Sequence, residues 1–389
     1  MTPAALTRPL LHTAGAAETV RVLEAALAGG PAVAPLPEDP VQAQQALQML
    51  RPADEVEVDD IAAVVSTSGS TGAPKGVMLS RRAMLASIEA THHRLGGRGR
   101  WLLALPVHYV AGLMVAARSL FSGTDPLPVG SDLAGLREPG LLGGASRYYL
   151  SIVPTQLFRA LADPVLTEAL SRLDAVLVGG GPADPGVVER ARSAGVNVVA
   201  TYGMSETCGG CVYDGVPLTG VDLAVEEDGR VSISGSMLFS GYRLRPDLTA
   251  AVLAGRRLRT SDRGRVVDGR LEVLGRVDDV VVSGGHNVDL AAVESALRSS
   301  AVVAGTGAEV VVLAVADEEW GTAVVVVTDA QTTLEEMVEG AGDRLGASAR
   351  PRRLIRLAGL PRTGSGKVDR PALQHMITLR EPGQSPASA

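Results

Sequence analysis

A chain of 389 residues with 46% hydrophobic side chains can bury one large core and a smaller second one, so two globular domains are expected. A formal net charge of -7 leaves no basic excess for nucleic acid or an anionic membrane surface and points to small-molecule partners. The two cysteines, Cys208 and Cys211, supply no disulfide framework. With neither a leader-like apolar stretch in residues 1–17 nor an apolar run of membrane-spanning length, the expected compartment is the cytoplasm, without integral membrane association.

In chain order, the apolar run 61–66 reads as a buried strand that feeds a Ser/Gly-rich loop, and 81–95 reads as a helix with Met84, Leu85, Ile88 and Leu95 on one face. The expected order is therefore strand, glycine-rich loop, helix. Strands are expected over 101–107, over 148–153 before a helix from Pro154, over 175–178 before a helix from Asp184, and over 196–200. Such alternation argues for doubly wound parallel sheets that bind ligands at the carboxyl ends of their strands. From Leu223 short strands at 224–227, 231–234, 266–267 and 271–274 suggest a small antiparallel barrel or sheet. A strand at 280–283, a helix over 289–298, strands at 310–315 and 323–327 and a helix near 334–345 then make a separate α+β domain. The fold class is α/β: a large N-terminal domain, 1–276, of doubly wound sheets plus a small barrel, then a small α+β C-terminal domain, 277–389. A frayed end is expected over 384–389.

Of 36 Lys and Arg residues only Lys75 and Lys367 are lysine, and both close small-residue loops, 66–76 and 361–367. A compact ammonium enters a tight polyanion site that a planar guanidinium does not fit. The first loop fails the Walker pattern, because Pro74 precedes the lysine where glycine is required and Gly76 follows it where a hydroxyl should hold magnesium. It still offers the hydroxyls of Thr67, Ser68, Ser70 and Thr71 with Gly69, Gly72 and Gly76, a set able to wrap phosphates.

The run Thr67 to Gly76 resembles the phosphate-binding signature of the acyl-adenylate-forming superfamily, and further motifs follow in that family's order. In 201–206 the resemblance places Ser205 beside the α-phosphate, Glu206 on Mg²⁺, Tyr202 on the nucleotide, and Gly203 and Met204 along the acyl group. Gly179, Gly180 and Gly181 resemble the turn beside the adenine. In 259–264 Asp262 would hold the ribose hydroxyls, with Ser261 where glycine is usual. In 275–285 Arg276 would contact the ribose and Asp278 would be the hinge of a mobile C-terminal domain, with His286 where the family has an acidic or polar residue. Lys367 would bridge the reacting carboxylate and the α-phosphate, and ATP, Mg²⁺ and coenzyme A would be the cofactors.

Two stretches, 101–112 and 202–213, together with a reduced N-terminus of which 29–36 looks like a remnant, most resemble the o-succinylbenzoate:CoA ligases of menaquinone biosynthesis in their short actinobacterial form. His108 would then line the acyl pocket as a catalytic and substrate-binding residue, although a satisfied core histidine is the alternative. The implied partners are a small carboxylic acid, ATP and CoA, with a homodimer as a family-based expectation. Another acid:CoA ligase, a carrier-protein-loading adenylation enzyme and a non-catalytic nucleotide-binding module stay open. His92 and His93 are expected to be surface or packing residues. Cys208 and Cys211 are read as pocket lining, because no second pair completes a zinc site.

Overall fold

Runs of β-branched and aliphatic residues too short for helices form the strands of this chain, and most are apolar on both faces, which requires a layer on each side of the sheet. The computed structural model describes residues 10–68, 74–143, 147–304, 306–317, 319–345, 349–362 and 368–378. The chain falls into two compact units, one of Met1–Glu226, Ser232–Thr260 and Val266–Leu271, the other of Glu227–Val231, Ser261–Arg265 and Glu272–Ala389.

The first unit holds a seven-stranded sheet in the order Val216–Pro217, Gly209–Tyr213, Val198–Met204, Ala175–Gly179, Arg147–Ile152, Gly99–Leu103, Leu127–Pro128. The last five run parallel and Gly209–Tyr213 runs antiparallel to Val198–Met204. Leu102, Leu150, Val176 and Val178 form its core with Leu157 and Ala191 of the crossing helices. The helix Pro185–Ser193 starts one residue later than expected, because the Asp184 carboxylate accepts the Val187 N–H at 3.0 Å and Pro185 sits at the first turn. The strand expected over 101–107 is Gly99–Leu103. Pro106 has no N–H for a ladder, and its carbonyl accepts from Tyr109 N at 3.2 Å to turn the chain into the helix Val110–Phe121.

A five-stranded sheet runs Leu11–Ala14, Val33–Leu36, Ile61–Ser68, Pro74–Ser80, Gly241–Tyr242. Here the expected order fails: the element that begins at Pro74 is a strand, Pro74–Ser80, antiparallel to Ile61–Ser68 with Val65 opposite Val77 and Val64 opposite Met78. The reason is burial. Val77, Met78 and Leu79 are all buried, so consecutive residues face opposite layers, as in a strand between two covers. The helix Arg81–Arg94 begins only after Ser80, whose hydroxyl accepts from Ala83 N at 3.1 Å. Short strands Val221–Val225, Arg230–Gly235, Arg257–Val267 and Leu253–Ala254 form a further sheet in that order, with Arg270–Arg276 paired to Arg257–Val267.

The second unit contains the hairpin Val280–Ser283 and His286–Asp289, turned by Gly284 and Gly285 at φ 54° and 80°. Val310–Asp317 pairs antiparallel with Gly321–Thr328, which pairs parallel with Arg353–Arg356. The helices Leu290–Arg298 and Leu334–Ala341 cover this sheet through Val293, Leu297 and Met337, and Asp289 and Thr333 cap their N-termini. No helix among the described residues is long and apolar enough to cross a membrane.

Candidate active site

In the antiparallel pair Ile61–Ser68 and Pro74–Ser80, Thr67 lies opposite Lys75 in register and the Thr67 hydroxyl donates to the Lys75 carbonyl at 3.4 Å. Gly69, Ser70, Thr71, Gly72 and Lys367 lie outside the described residues, as does the expected frayed end. Beside the strand pair runs Gly241–Tyr242, and the segment it belongs to is stitched to two chemistry-bearing stretches at once. Ser240 N donates to the Met78 carbonyl and Arg243 N to the Gly76 carbonyl, at 2.9 and 2.8 Å, while Phe239 N donates to the Glu206 carbonyl at 2.9 Å. The Tyr242 hydroxyl donates to Glu206 Oε1 at 2.7 Å, and the Lys75 ammonium lies 5.0 Å from the centroid of the Tyr242 ring. Two predicted residues 131 positions apart thus meet on one tyrosine that the motif reading did not single out. Burial and the Glu206 carboxylate together push the Tyr242 phenol well above its ordinary pKa, so it remains a donor.

Glu206 belongs to the 3-10 turn Ser205–Thr207, which ends the strand Val198–Met204 and is closed by Thr207. The Thr207 hydroxyl accepts from Met204 N at 2.9 Å and lies 2.6 Å from the Gly209 carbonyl. The turn demands Gly203, where a Cβ would be driven into the Gly209 carbonyl of the neighbouring strand. Gly179 is required for a like reason, since a Cβ there would strike the Thr201 hydroxyl. Gly180 takes φ 82°, and Gly181, Tyr202, Val178, Ala183 and Val212 line a pocket of about 170 Å³ where the parallel strands end. Cys211 faces another cavity, of about 300 Å³, with Ser87, Ala90 and His93. Cys208 instead sits in the core with Ala83 and Met114. Burial pushes both thiols up to about 12.

His108 lies in the turn between strand and helix, buried, 4.1 Å from the Tyr109 ring centroid, with no hydrogen-bond partner for Nε2 among the described residues. Burial lowers its pKa against the opposing pull of the Glu38 carboxylate. The satisfied-core alternative is therefore not met at Nε2. In the helix that follows, Val110–Phe121, Arg118 is buried with its guanidinium 5.0 Å from the Trp101 ring centroid, its Nε unpartnered and no carboxylate paired to it among the described residues. Sequence reasoning missed it because its helix, Val110–Phe121, is otherwise apolar. His92, expected at the surface or in packing, is a packing residue: buried, it accepts from Trp101 Nε1 at 3.2 Å and its pKa falls to about 4, through burial first and then Arg118 and Arg98.

Within the second unit, Asp262, Arg276 and Asp278 form one cluster. Arg276 lies 3.8 Å from Asp262 and 2.9 Å from Asp278. The structure thus joins the residue expected at the ribose to the residue expected at the hinge through a single guanidinium.

With this geometry in hand, comparison with known proteins is decisive for the family. The AMP-binding enzyme profile matches residues 7–243, and that of the AMP-binding enzyme C-terminal domain matches 292–367. The chain belongs to the AMP-binding enzymes. This AMP-binding enzyme is 44% identical over 348 residues to the probable 2-succinylbenzoate–CoA ligase of Mycobacterium tuberculosis, covering 86% of the chain and 89% of that protein. It is 30% identical over 376 residues to the 2-succinylbenzoate–CoA ligase of a Geobacillus species, covering 90% and 74%. Among solved structures, the O-succinylbenzoate coenzyme A synthetase of Bacillus subtilis in complex with AMP superposes with a TM-score of 0.71 at 25% identity, over 94% of this chain and 82% of that one. The amide bond synthetase McbA of Marinactinospora thermotolerans superposes with a TM-score of 0.77 at 24% identity, over 97% and 91%. At that identity the likeness is one of fold, and an AMP-binding enzyme's acceptor has to be argued from its site.

Proposed function

We propose that this chain is an ATP-dependent, AMP-forming acid:CoA ligase that activates 2-succinylbenzoate as its acyl-adenylate and passes the acyl group to coenzyme A, a step of menaquinone biosynthesis. The observation that carries the ligase reading is the placing of Lys75 and Glu206 on one Tyr242, the cation against its ring and the carboxylate on its hydroxyl. The relatives' names support the acid, and so does Arg118: 2-succinylbenzoate keeps a second carboxylate after activation, and a buried guanidinium without its own carboxylate is the group to meet it.

In the first half-reaction an acid carboxylate attacks an anionic α-phosphate, so the chain's task is to bring positive charge to the site and hold the reactants in line. Lys75 meets the leaving pyrophosphate, the backbone turn 179–181 and Tyr202 seat the adenine, and His108 borders the acid. A lone anchored carboxylate such as Glu206 suits Mg²⁺, which keeps waters and takes phosphate oxygens where a cage of protein ligands is lacking. Among the described residues no group of three His, Cys, Asp or Glu gathers to make such a cage. When bound, that ion offsets charge on the phosphates. Lys367 lies between the reacting oxygens in this step, and the domain 277–389 turning about Asp278 removes it before the CoA thiol attacks the acyl-adenylate.

The test is pyrophosphate release with ATP and Mg²⁺ against 2-succinylbenzoate, benzoate, other aryl acids and fatty acids, each with and without CoA. Turnover restricted to 2-succinylbenzoate and dependent on CoA is expected. Turnover on another acid would remove the named substrate and leave the ligase class; full turnover with a carrier protein in place of CoA would change the acceptor.

A further inference from the structure

Lys75 and Glu206 carry opposite charges beside one tyrosine, yet among the described residues they form no ion pair with each other. In the absence of substrate the simplest fate for such a pair is collapse onto each other, which would consume the cation meant for phosphate and the carboxylate meant for metal. Each of the two is instead held by Tyr242. We propose that Tyr242 is a positioning residue that keeps Lys75 and Glu206 apart and aimed, its ring face carrying the ammonium and its hydroxyl holding the carboxylate. This rests on the reading of Glu206 as the carboxylate that takes the metal and of Lys75 as the phosphate lysine.

The choice of side chain is chemically specific. A phenol fixes the orientation of a carboxylate by donating one hydrogen bond while leaving its negative charge intact, whereas an arginine or lysine at the same place would neutralise it. A ring face attracts an ammonium more weakly than a carboxylate does, so the lysine stays exchangeable. The mount is rigid. Tyr242 is buried, Phe239 packs edge-on against its ring at 5.0 Å, its backbone N–H donates to the Thr249 hydroxyl at 2.8 Å, and it lies opposite Val77 on the strand that carries Lys75. The Phe239 N–H on the Glu206 carbonyl fixes the backbone of the acid, so the hydroxyl has only the side-chain torsions left to set. Partners of this outer kind shift metal affinity by about 10–100-fold when removed.

The experiment uses the full chain with no acid and no CoA, so that nothing turns over. ATP binding is measured by titration calorimetry with and without Mg²⁺ for the wild type, Tyr242→Phe, Tyr242→Leu and Glu206→Gln, with circular dichroism confirming folding. Tyr242→Phe keeps the ring and loses the clamp, and is expected to cut the gain in ATP affinity that Mg²⁺ confers by about ten-fold. Tyr242→Leu also removes the shelf and is expected to weaken ATP binding without Mg²⁺ as well; should it fail to fold, Tyr242→Phe decides alone. If Tyr242→Phe keeps the full gain while Glu206→Gln loses it, the positioning role is overturned and the metal reading stands. If Glu206→Gln keeps the gain, the metal reading falls and the proposal falls with it.

Discussion

Two buried basic side chains illustrate how burial without a partner separates function from packing. Arg118 has no carboxylate to offset its desolvation among the described residues, and the Trp101 face returns only about 1–2 kcal/mol. Replacing it by Met should therefore raise the thermal unfolding midpoint while lowering kcat/KM for the acid by about 100-fold, with little change in the KM for ATP. A lowered midpoint with unchanged acid kinetics would make Arg118 a structural residue. His92 behaves differently: Trp101 Nε1 donates to its Nε2, its Nδ1 has no partner among the described residues, and burial keeps the ring neutral. Its folded-state pKa of about 4 lies below the ordinary 6.5, so as the pH falls through 6.5 the unfolded chain takes up the proton first. Stability is then lost between about 6.5 and 4, by up to about 3 kcal/mol, and the loss levels off below. His92→Gln keeps an acceptor for Trp101 Nε1 and removes the titration. Urea midpoints at pH 7 and 4.5 should fall less for the variant than for the wild type, and parallel losses would rule out His92 as the source.

At the scale of elements, the motifs were legible and their mounting was not. The glycine- and hydroxyl-rich loop announces itself by composition, but whether a helix or a strand follows depends on Val77, Met78 and Leu79 being covered on both faces, and covering is a tertiary fact. Helix starts were read to within a residue because Asp184 and Asp289 cap through their own side chains. Tyr242 and Arg118 escaped because neither belongs to a spaced pattern: one reaches Glu206 from 36 positions away, the other hides on an apolar helix. The close strand contact at Gly203 gives a test of how rigidly the Ser205–Thr207 turn is mounted. Gly203→Ala must part the strands Val198–Met204 and Gly209–Tyr213 and shift the Ser205–Thr207 turn between them. A loss of about 1–3 kcal/mol in urea unfolding is expected, with a larger fractional loss in adenylation than in stability. Stability and pyrophosphate exchange at wild-type levels would mean that the turn adapts.

At the scale of the whole molecule, the proposed chemistry divides between a first unit that holds Lys75, Glu206 and His108 and a second that contains the Asp262, Arg276 and Asp278 cluster and leads to Lys367. Such a division suits two reactions with opposing demands. Adenylation brings two anions together and needs every cation available, whereas thiol attack on the acyl-adenylate needs room for the pantetheine arm where a lysine would stand. If Lys367 serves only the first, Lys367→Ala should reduce pyrophosphate release with acid and ATP by at least about 100-fold and leave CoA thioester formation from supplied acyl-adenylate nearly unchanged. Both rates are read from the same preparation, so misfolding would depress them together. Equal loss of the two would assign the lysine to the common scaffold, and loss confined to the thioester step would reverse the order in which the second unit is used.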